Sequence, residues 1–106
     1  MLVQIVRYRS GLSDDEVQAT VESRAPAYMA VAGLVQKYYL RFPDSGEHGG
    51  VYLWASRGSF EAFRESDLAR TLRDVYRVDG TPHVELADVS KVLYPRCATQ
   101  GSGEGG

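Results

Sequence analysis

The sequence predicts an α+β fold with element order β-α-β-β-α-β, and three observations over its 106 residues predict it. Two segments carry apolar residues at helical spacing. Four others are rich in β-branched and aromatic residues. The middle pair of these flanks a loop full of turn-forming residues and reads as a hairpin. This order is the ferredoxin-like split βαβ arrangement, a four-stranded antiparallel sheet with two helices on one face. Residues 1–95 are expected to form one domain, and 96–106 a disordered tail of Gly, Ser, Thr, Gln and Glu.

The first strand is expected over Leu2–Tyr8, with Val3 and Ile5 on one face and Leu2, Val6 and Tyr8 on the other. A strand apolar on both sides is covered on both sides. After Gly11-Leu12, Ser13-Asp14-Asp15-Glu16 opens a helix. Ser13 is placed to cap it, Glu16 to reach back, and Asp14 and Asp15 to meet the positive end of its dipole. Leu12 and Val17 are spaced as a hydrophobic staple. Val17, Val21, Ala25, Tyr28 and Ala32 share one face, Pro26 removes a donor and is expected to loosen the helix near Glu22, and Gly33 is its expected stop.

Leu34–Phe42 is the second expected strand, with Val35, Lys37, Tyr39 and Arg41 opposite Leu34, Gln36, Tyr38, Leu40 and Phe42. A loop over 43–50 and a strand over Val51–Ala55 complete the hairpin. Phe60, Phe63, Leu68, Leu72 and Val75 form the stripe of a second helical region, which Ser66-Asp67 can divide in two. A loop over Val78–Pro82 and a last strand over His83–Tyr94 end the folded part at Pro95.

Composition narrows the function. Twelve Lys and Arg against fourteen Asp and Glu leave a formal charge of −2, without the basic footprint of a nucleic-acid binder or a polybasic membrane anchor. Apolar runs are too short to cross a bilayer, and the start of the chain lacks a secretory leader's pattern, so the expected location is the cytoplasm. The one cysteine, Cys97, has no partner for a disulfide or a multi-thiolate metal site, and it lacks an evident activating neighbour. His48 and His83 have no metal-ligand spacing. Two helices cover only one sheet face. Leu2, Val6 and Tyr8 or their alternates in the first strand, with Leu34, Tyr38, Leu40 and Phe42, leave the other face partly apolar and therefore point to a homodimer packed through its sheets.

The stretch Ala32-Gly33-Leu34-Val35-Gln36-Lys37-Tyr38-Tyr39, followed by Glu47-His48-Gly49-Gly50-Val51-Tyr52-Leu53-Trp54, resembles the YdhR-type mono-oxygenase family of the dimeric α/β-barrel superfamily. The resemblance runs from about Leu2 to Pro95. Its most specific piece is the GL-x-x-K strand entry and the GG-[VI]-Y-L-aromatic strand, and the SFEAF segment that follows fits the same pattern. It implies a protomer that dimerises through its sheet. It also implies oxidation of a small aromatic or polyketide-like compound by molecular oxygen with no bound metal or flavin. In such chemistry the substrate carbanion reduces oxygen, and the protein supplies an apolar pocket with a few polar groups. A ligand-binding dimer without oxidation, or a cyclase or isomerase using the same pocket, are the alternatives.

His48, Tyr39 and Trp54 are the catalytic candidates, and Tyr28, Lys37 and Tyr52 the substrate-binding ones. His48 combines an imidazole with a loop position; surface-loop histidines are also commonly inert. Lys37, Tyr39 and Arg41 share a strand face that can hold an anionic enolate, or that simply faces water. Trp54 and Tyr52 can wall a pocket with their N–H and O–H as handles, or pack a core or dimer interface. Tyr28, beyond Pro26, can line a cavity between helix and sheet or pack there. His83 is expected at the edge of the last strand.

Overall fold

In the computed structural model, which describes residues 1–94, the chain runs β1 (Leu2–Ser10), α1 (Asp14–Met29), β2 (Leu34–Arg41), β3 (His48–Trp54), α2 (Arg57–Arg64), α3 (Asp67–Arg70), α4 (Leu72–Val75) and β4 (Val78–Asp88). Pro95, Cys97 and the tail expected over 96–106 lie outside the described residues. The four strands form one antiparallel sheet in the order β2-β3-β1-β4, the ferredoxin-like arrangement.

The start of α1 follows its sequence in detail. The Glu16 amide donates to Ser13 Oγ at 3.1 Å, and the Ser13 amide donates to Glu16 Oε1 at 2.9 Å, a complete capping box. The helix continues through Pro26 and ends at Met29, short of Gly33. A proline leaves one carbonyl of the preceding turn without its amide, and here the helix ends one short turn later. Gly33, at φ +79°, then turns the chain into β2, and a β-carbon there would clash with Ser59 Oγ. Ser56 and Ser66 cap α2 and α3 through the amides of Ser59 and Ala69. The second helical region is therefore three short pieces rather than one or two.

The strand boundaries differ most from expectation in β3 and β4. β3 begins at His48, because the ladder from β1 extends to Tyr8 opposite His48 and draws residues 48–50 into the sheet. β4 begins at Val78 and ends at Asp88. Its register shifts between Arg7 and Arg9, and this irregularity absorbs Gly80 and Pro82 in an edge strand, where proline is tolerated. β2 also shifts register between Leu34 and Gln36.

That last irregularity changes which face each residue occupies. Leu34 pairs opposite Trp54 and Lys37 opposite Tyr52, so Leu34 shares the helix-covered face with Lys37, Tyr39 and Arg41 instead of lying opposite them. Leu2, Val6 and Tyr8 are buried on the same covered face, with Gln4. The face away from the helices carries Val3 and Ile5 of β1, Val51 and Leu53 of β3, and Gln36, Tyr38 and Leu40 of β2. It is partly apolar as anticipated, and of the two expected sets in β1 it is Val3 and Ile5 that lie there. The core on the covered face is dominated by rings: Tyr8, Tyr28, Tyr52, Trp54, Phe60, Phe63 and Tyr76. No helix among the described residues is long and apolar enough to cross a membrane.

Candidate active site

The covered sheet face brings Lys37 and Tyr39 of β2, Gly50 and Tyr52 of β3, and Val6 and Tyr8 of β1 into adjacent rows, because residues directly opposite in an antiparallel ladder share a face. Tyr28, near the end of α1, packs onto them, and Tyr76 after α4 closes the far side. Five phenols thereby surround one lysine.

The Lys37 ammonium lies over three ring faces, 3.8 Å from the centroid of Tyr39, 4.1 Å from Tyr52 and 4.8 Å from Tyr28. The negative faces of the rings favour the charged amine. Burial and the nearby Arg24 guanidinium work against it and push Lys37 down to about 7. No carboxylate forms an ion pair with Lys37 or Arg24 among the described residues. Arg24 instead donates to the Leu68 carbonyl at 2.8 Å and to Thr71, tying α1 to α3, and its Nε is buried without a partner.

Burial raises the phenols. Tyr52 is held well above its ordinary value by burial, neighbouring phenols and a hydrogen bond with Tyr28, while Tyr76 is pushed up to about 12 by burial and its neighbours. Tyr8 and Tyr39 shift upward, mainly by burial. All four therefore stay neutral across the physiological range and act as hydrogen-bonding groups rather than anions.

Two cavities open on this cluster. One of about 290 Å³ lies between the end of α1 and the start of β2, bounded by Ala25, Tyr28, Met29, Leu34, Lys37 and Tyr39, with Val35 and Gln36. The other, about 210 Å³, lies towards the opposite end of the helix and is bounded by Asp14, Val17, Val21, Tyr39, Arg41 and His48, among others. Between them a recess of about 10 Å³, room for one water, is walled by Tyr8, Tyr28, Lys37, Tyr39, Tyr52 and Tyr76. Tyr39 borders all three spaces.

The sequence candidates thus divide. Tyr28, Lys37 and Tyr39 line the larger cavity, and Tyr52 joins them at the recess. His48 is a strand residue rather than a loop one, 8% exposed, and borders the smaller cavity. Its Nε2 is 3.3 Å from Asp14 Oδ1, and Asp14 is also held by Arg41 Nε at 3.1 Å. The His48 Nδ1 is buried without a hydrogen-bond partner. Trp54 is 0% exposed, borders neither cavity, and donates its indole N–H to Gln4 Oε1 at 2.9 Å. It stacks on Tyr52 at 5.9 Å and 8°, so it orients a ring of the recess from behind. His83 is exposed on β4 beside Glu85. Tyr8, Tyr76 and Arg24 escaped sequence reasoning. Alternation along β1 placed Tyr8 correctly among apolar groups, but nothing local marks Tyr76 or Arg24 as neighbours of Lys37.

Among the described residues no three His, Cys, Asp or Glu side chains are gathered as a metal-ligand set. What the cluster offers is an amine, several neutral phenols and apolar walls. That combination can bind an aromatic ring and stabilise negative charge on it.

No protein-family model matches the chain, and no curated protein sequence matches it. Solved structures do match it. SnoaB, a cofactor-independent oxygenase from Streptomyces nogalater, superposes with a TM-score of 0.70 at 15% identity over 87% of this chain and 95% of its own. NE2512, a protein of unknown function from Nitrosomonas europaea, gives 0.73 at 16% identity over 89% and 93%. A Deinococcus radiodurans protein proposed by its name to be an antibiotic biosynthesis monooxygenase gives 0.70 at 9% identity over 89% and 97%. At such identities the likeness is one of fold.

Proposed function

We propose that the chain is a mono-oxygenase of the cofactor-independent kind, acting on a small aromatic or polyketide-like compound held in the 290 Å³ cavity. The observation that carries this reading is the Lys37 amine set among Tyr28, Tyr39 and Tyr52 at the wall of that cavity. The match to SnoaB, itself described as a cofactor-independent oxygenase, supports it, as does the YdhR-type resemblance of the β2 and β3 sequences. The cavity sits at the lower end of ligand-site volumes, which favours a compound of roughly one or two rings over a large polyketide.

In this reading an activated CH2 of the substrate loses a proton, and the carbanion passes its electrons to oxygen. The carbon–peroxide so formed loses water to leave a ketone. One oxygen atom stays on carbon, and the other leaves as water with the two hydrogens of the CH2. Lys37 stabilises the enolate, and the Tyr28 and Tyr52 phenols position the ring. Tyr39, between the cavities, and His48, backed by Asp14, are the proton-handling candidates. Trp54 acts by holding Tyr52 in place. The face bearing Val3, Ile5, Val51 and Leu53 is the proposed dimer surface, and the cytoplasm is the proposed location.

Oxygen uptake tests the reading. Chelator-treated protein is given hydroxylated aromatic ketones with an activated CH2. Uptake of one oxygen per ketone formed, diminished at least about tenfold in Lys37→Met and Tyr39→Phe, is the expected result. Rearranged product without oxygen uptake would establish the cyclase or isomerase alternative instead. Binding without any product would leave a ligand-binding dimer.

A further inference from the structure

We infer that the cavity between α1 and β2 selects its ligand by charge, taking a compact aromatic compound as its anion, a carboxylate or ionised phenol, with the Lys37 ammonium as its counter-ion. The inference rests on the mono-oxygenase reading only for the identity of the site; it names the class of compound that enters.

Among the described residues, six titratable groups face Lys37. From α1 come Tyr28 and Arg24, from β1 Tyr8, from β2 Tyr39, from β3 Tyr52, and Tyr76 follows α4. Every one of these groups is a neutral phenol or a second cation. Lys37 is half-buried, and a cation drawn partly out of water is ordinarily paired with a carboxylate or a dense set of acceptors, because desolvation carries a penalty. The described residues supply no such carboxylate to Lys37. The ring faces offset part of the penalty and leave the formal charge uncompensated.

The larger cavity is also electrically one-sided. Of the eight residues that bound it, Lys37 is the one with a charged side chain, and the rest are Ala25, Tyr28, Met29, Leu34, Val35, Gln36 and Tyr39. The walls accept a flat apolar ring, and the single polar charge is positive. A neutral ring gains only the walls, whereas an anionic ring gains the walls and a charge-assisted contact with the Lys37 ammonium. The carboxylate of the second cavity, Asp14, is already engaged by Arg41 and His48. The two spaces are therefore chemically distinct, and the anion belongs to the first.

The test is a binding measurement under nitrogen, which separates this inference from oxygen chemistry. The probes are 2-naphthoate and its neutral isostere 2-naphthamide, read by calorimetry and by quenching of Trp54, the one tryptophan of the chain. At pH 6.5 native protein is expected to bind the carboxylate about tenfold or more tighter than the amide. Lys37→Met should bind the two alike, and Lys37→Arg should restore the preference. Far-ultraviolet circular dichroism of each variant checks that the fold persists. Equal binding of the two probes by native protein, absence of binding by either, or a preference that survives in Lys37→Met would each overturn the inference. A preference for the anion in a protein that consumes no oxygen with any ketone would uphold it while the mono-oxygenase reading fails. Oxygen uptake without any charge preference would do the reverse.

Discussion

Gly50 and Lys37 are sterically complementary across the β2–β3 ladder: a β-carbon on Gly50 would stand 3.1 Å from Lys37 Nζ. The amine occupies space that any other residue at position 50 would claim, and the same β-carbon would press on the Tyr38 carbonyl at 3.1 Å. Gly50→Ala is therefore expected to push the ammonium a few tenths of an ångström from its place over the rings and to ask the same of the Tyr38 carbonyl. The expected cost is about 1 kcal/mol in urea denaturation, together with a weakened preference for 2-naphthoate over 2-naphthamide.

Gly49 faces the other side of the same strand, and the demand there is harder. A β-carbon would lie 2.0 Å from the Val6 carbonyl oxygen, a backbone atom with no room to move inside the sheet. Gly49→Ala should cost about 3 kcal/mol or more, or prevent folding, as seen by thermal denaturation and soluble yield. A loss below about 0.5 kcal/mol would mean that β1 and β3 approach less closely than described.

Lys37→Met should stabilise the protein while removing its anion binding. Folding takes the amine from water and lowers its affinity for a proton to about 7, so the native state carries fewer protons than the unfolded chain between about pH 7 and 10. Stability of the native protein thus rises with pH across that window, and the burden of the buried charge is greatest below it. The methionine variant is expected to be more stable by about 1–2 kcal/mol at pH 6, after loss of the ring contacts, and its advantage should shrink towards pH 10. Urea titrations of both proteins at pH 6, 8 and 10 measure the trend.

Binding of a permanently ionised carboxylate should show the opposite pH dependence. Tyr8, Tyr39, Tyr52 and Tyr76 are all raised, so Lys37 is the group of the cluster expected to titrate near neutrality. Affinity for 2-naphthoate should be highest near pH 6 and fall as the amine loses its proton above about 7. At pH 8 the anion should draw up to about one proton into the site. Calorimetry in two buffers of different ionisation enthalpy reads that uptake, which should vanish in Lys37→Met.

Trp54 and Gln4 form a separable pair. The indole N–H satisfies the buried Gln4 oxygen at 2.9 Å. Trp54→Phe leaves that oxygen unpaired and should cost about 2–4 kcal/mol with the lost volume, whereas adding Gln4→Leu should recover about 1–2 kcal/mol of it. A double-mutant cycle with near-zero coupling would remove the hydrogen bond from the account of the core.

The strand and helix periodicities, the Ser13–Glu16 capping box and the hairpin were all legible locally, because each depends on residues close together in the chain. Alternation puts Lys37 with Tyr39 on one face of β2 and Tyr52 with Trp54 on one face of β3, and helical spacing puts Tyr28 on the apolar face of α1, but nothing local says which sheet face meets the helices. The glycines beside His48 carry turn chemistry and read as a loop, yet pairing with β1 draws the segment into the sheet. Simple alternation puts Leu34 on the opposite face from the one it occupies, because the register shift before Gln36 leaves no mark in a run of good strand formers.

What the sequence determined by itself is the order of elements and hence the sheet-and-helix architecture. Hydrophobic period and capping are properties of neighbouring residues, and they leave few topologies open. Only the tertiary structure decided the electrostatics of the site. Arg24, Lys37, Tyr52 and Tyr76 come from four separate stretches of chain, and their meeting depends on strand register and on where α1 crosses the sheet. The pairing of Asp14 with Arg41 and His48, and the absence of any described carboxylate on Lys37, are likewise long-range outcomes. Burial and charge act through space rather than along the chain, so the lysine's unpaired state could be read only once the fold had assembled around it.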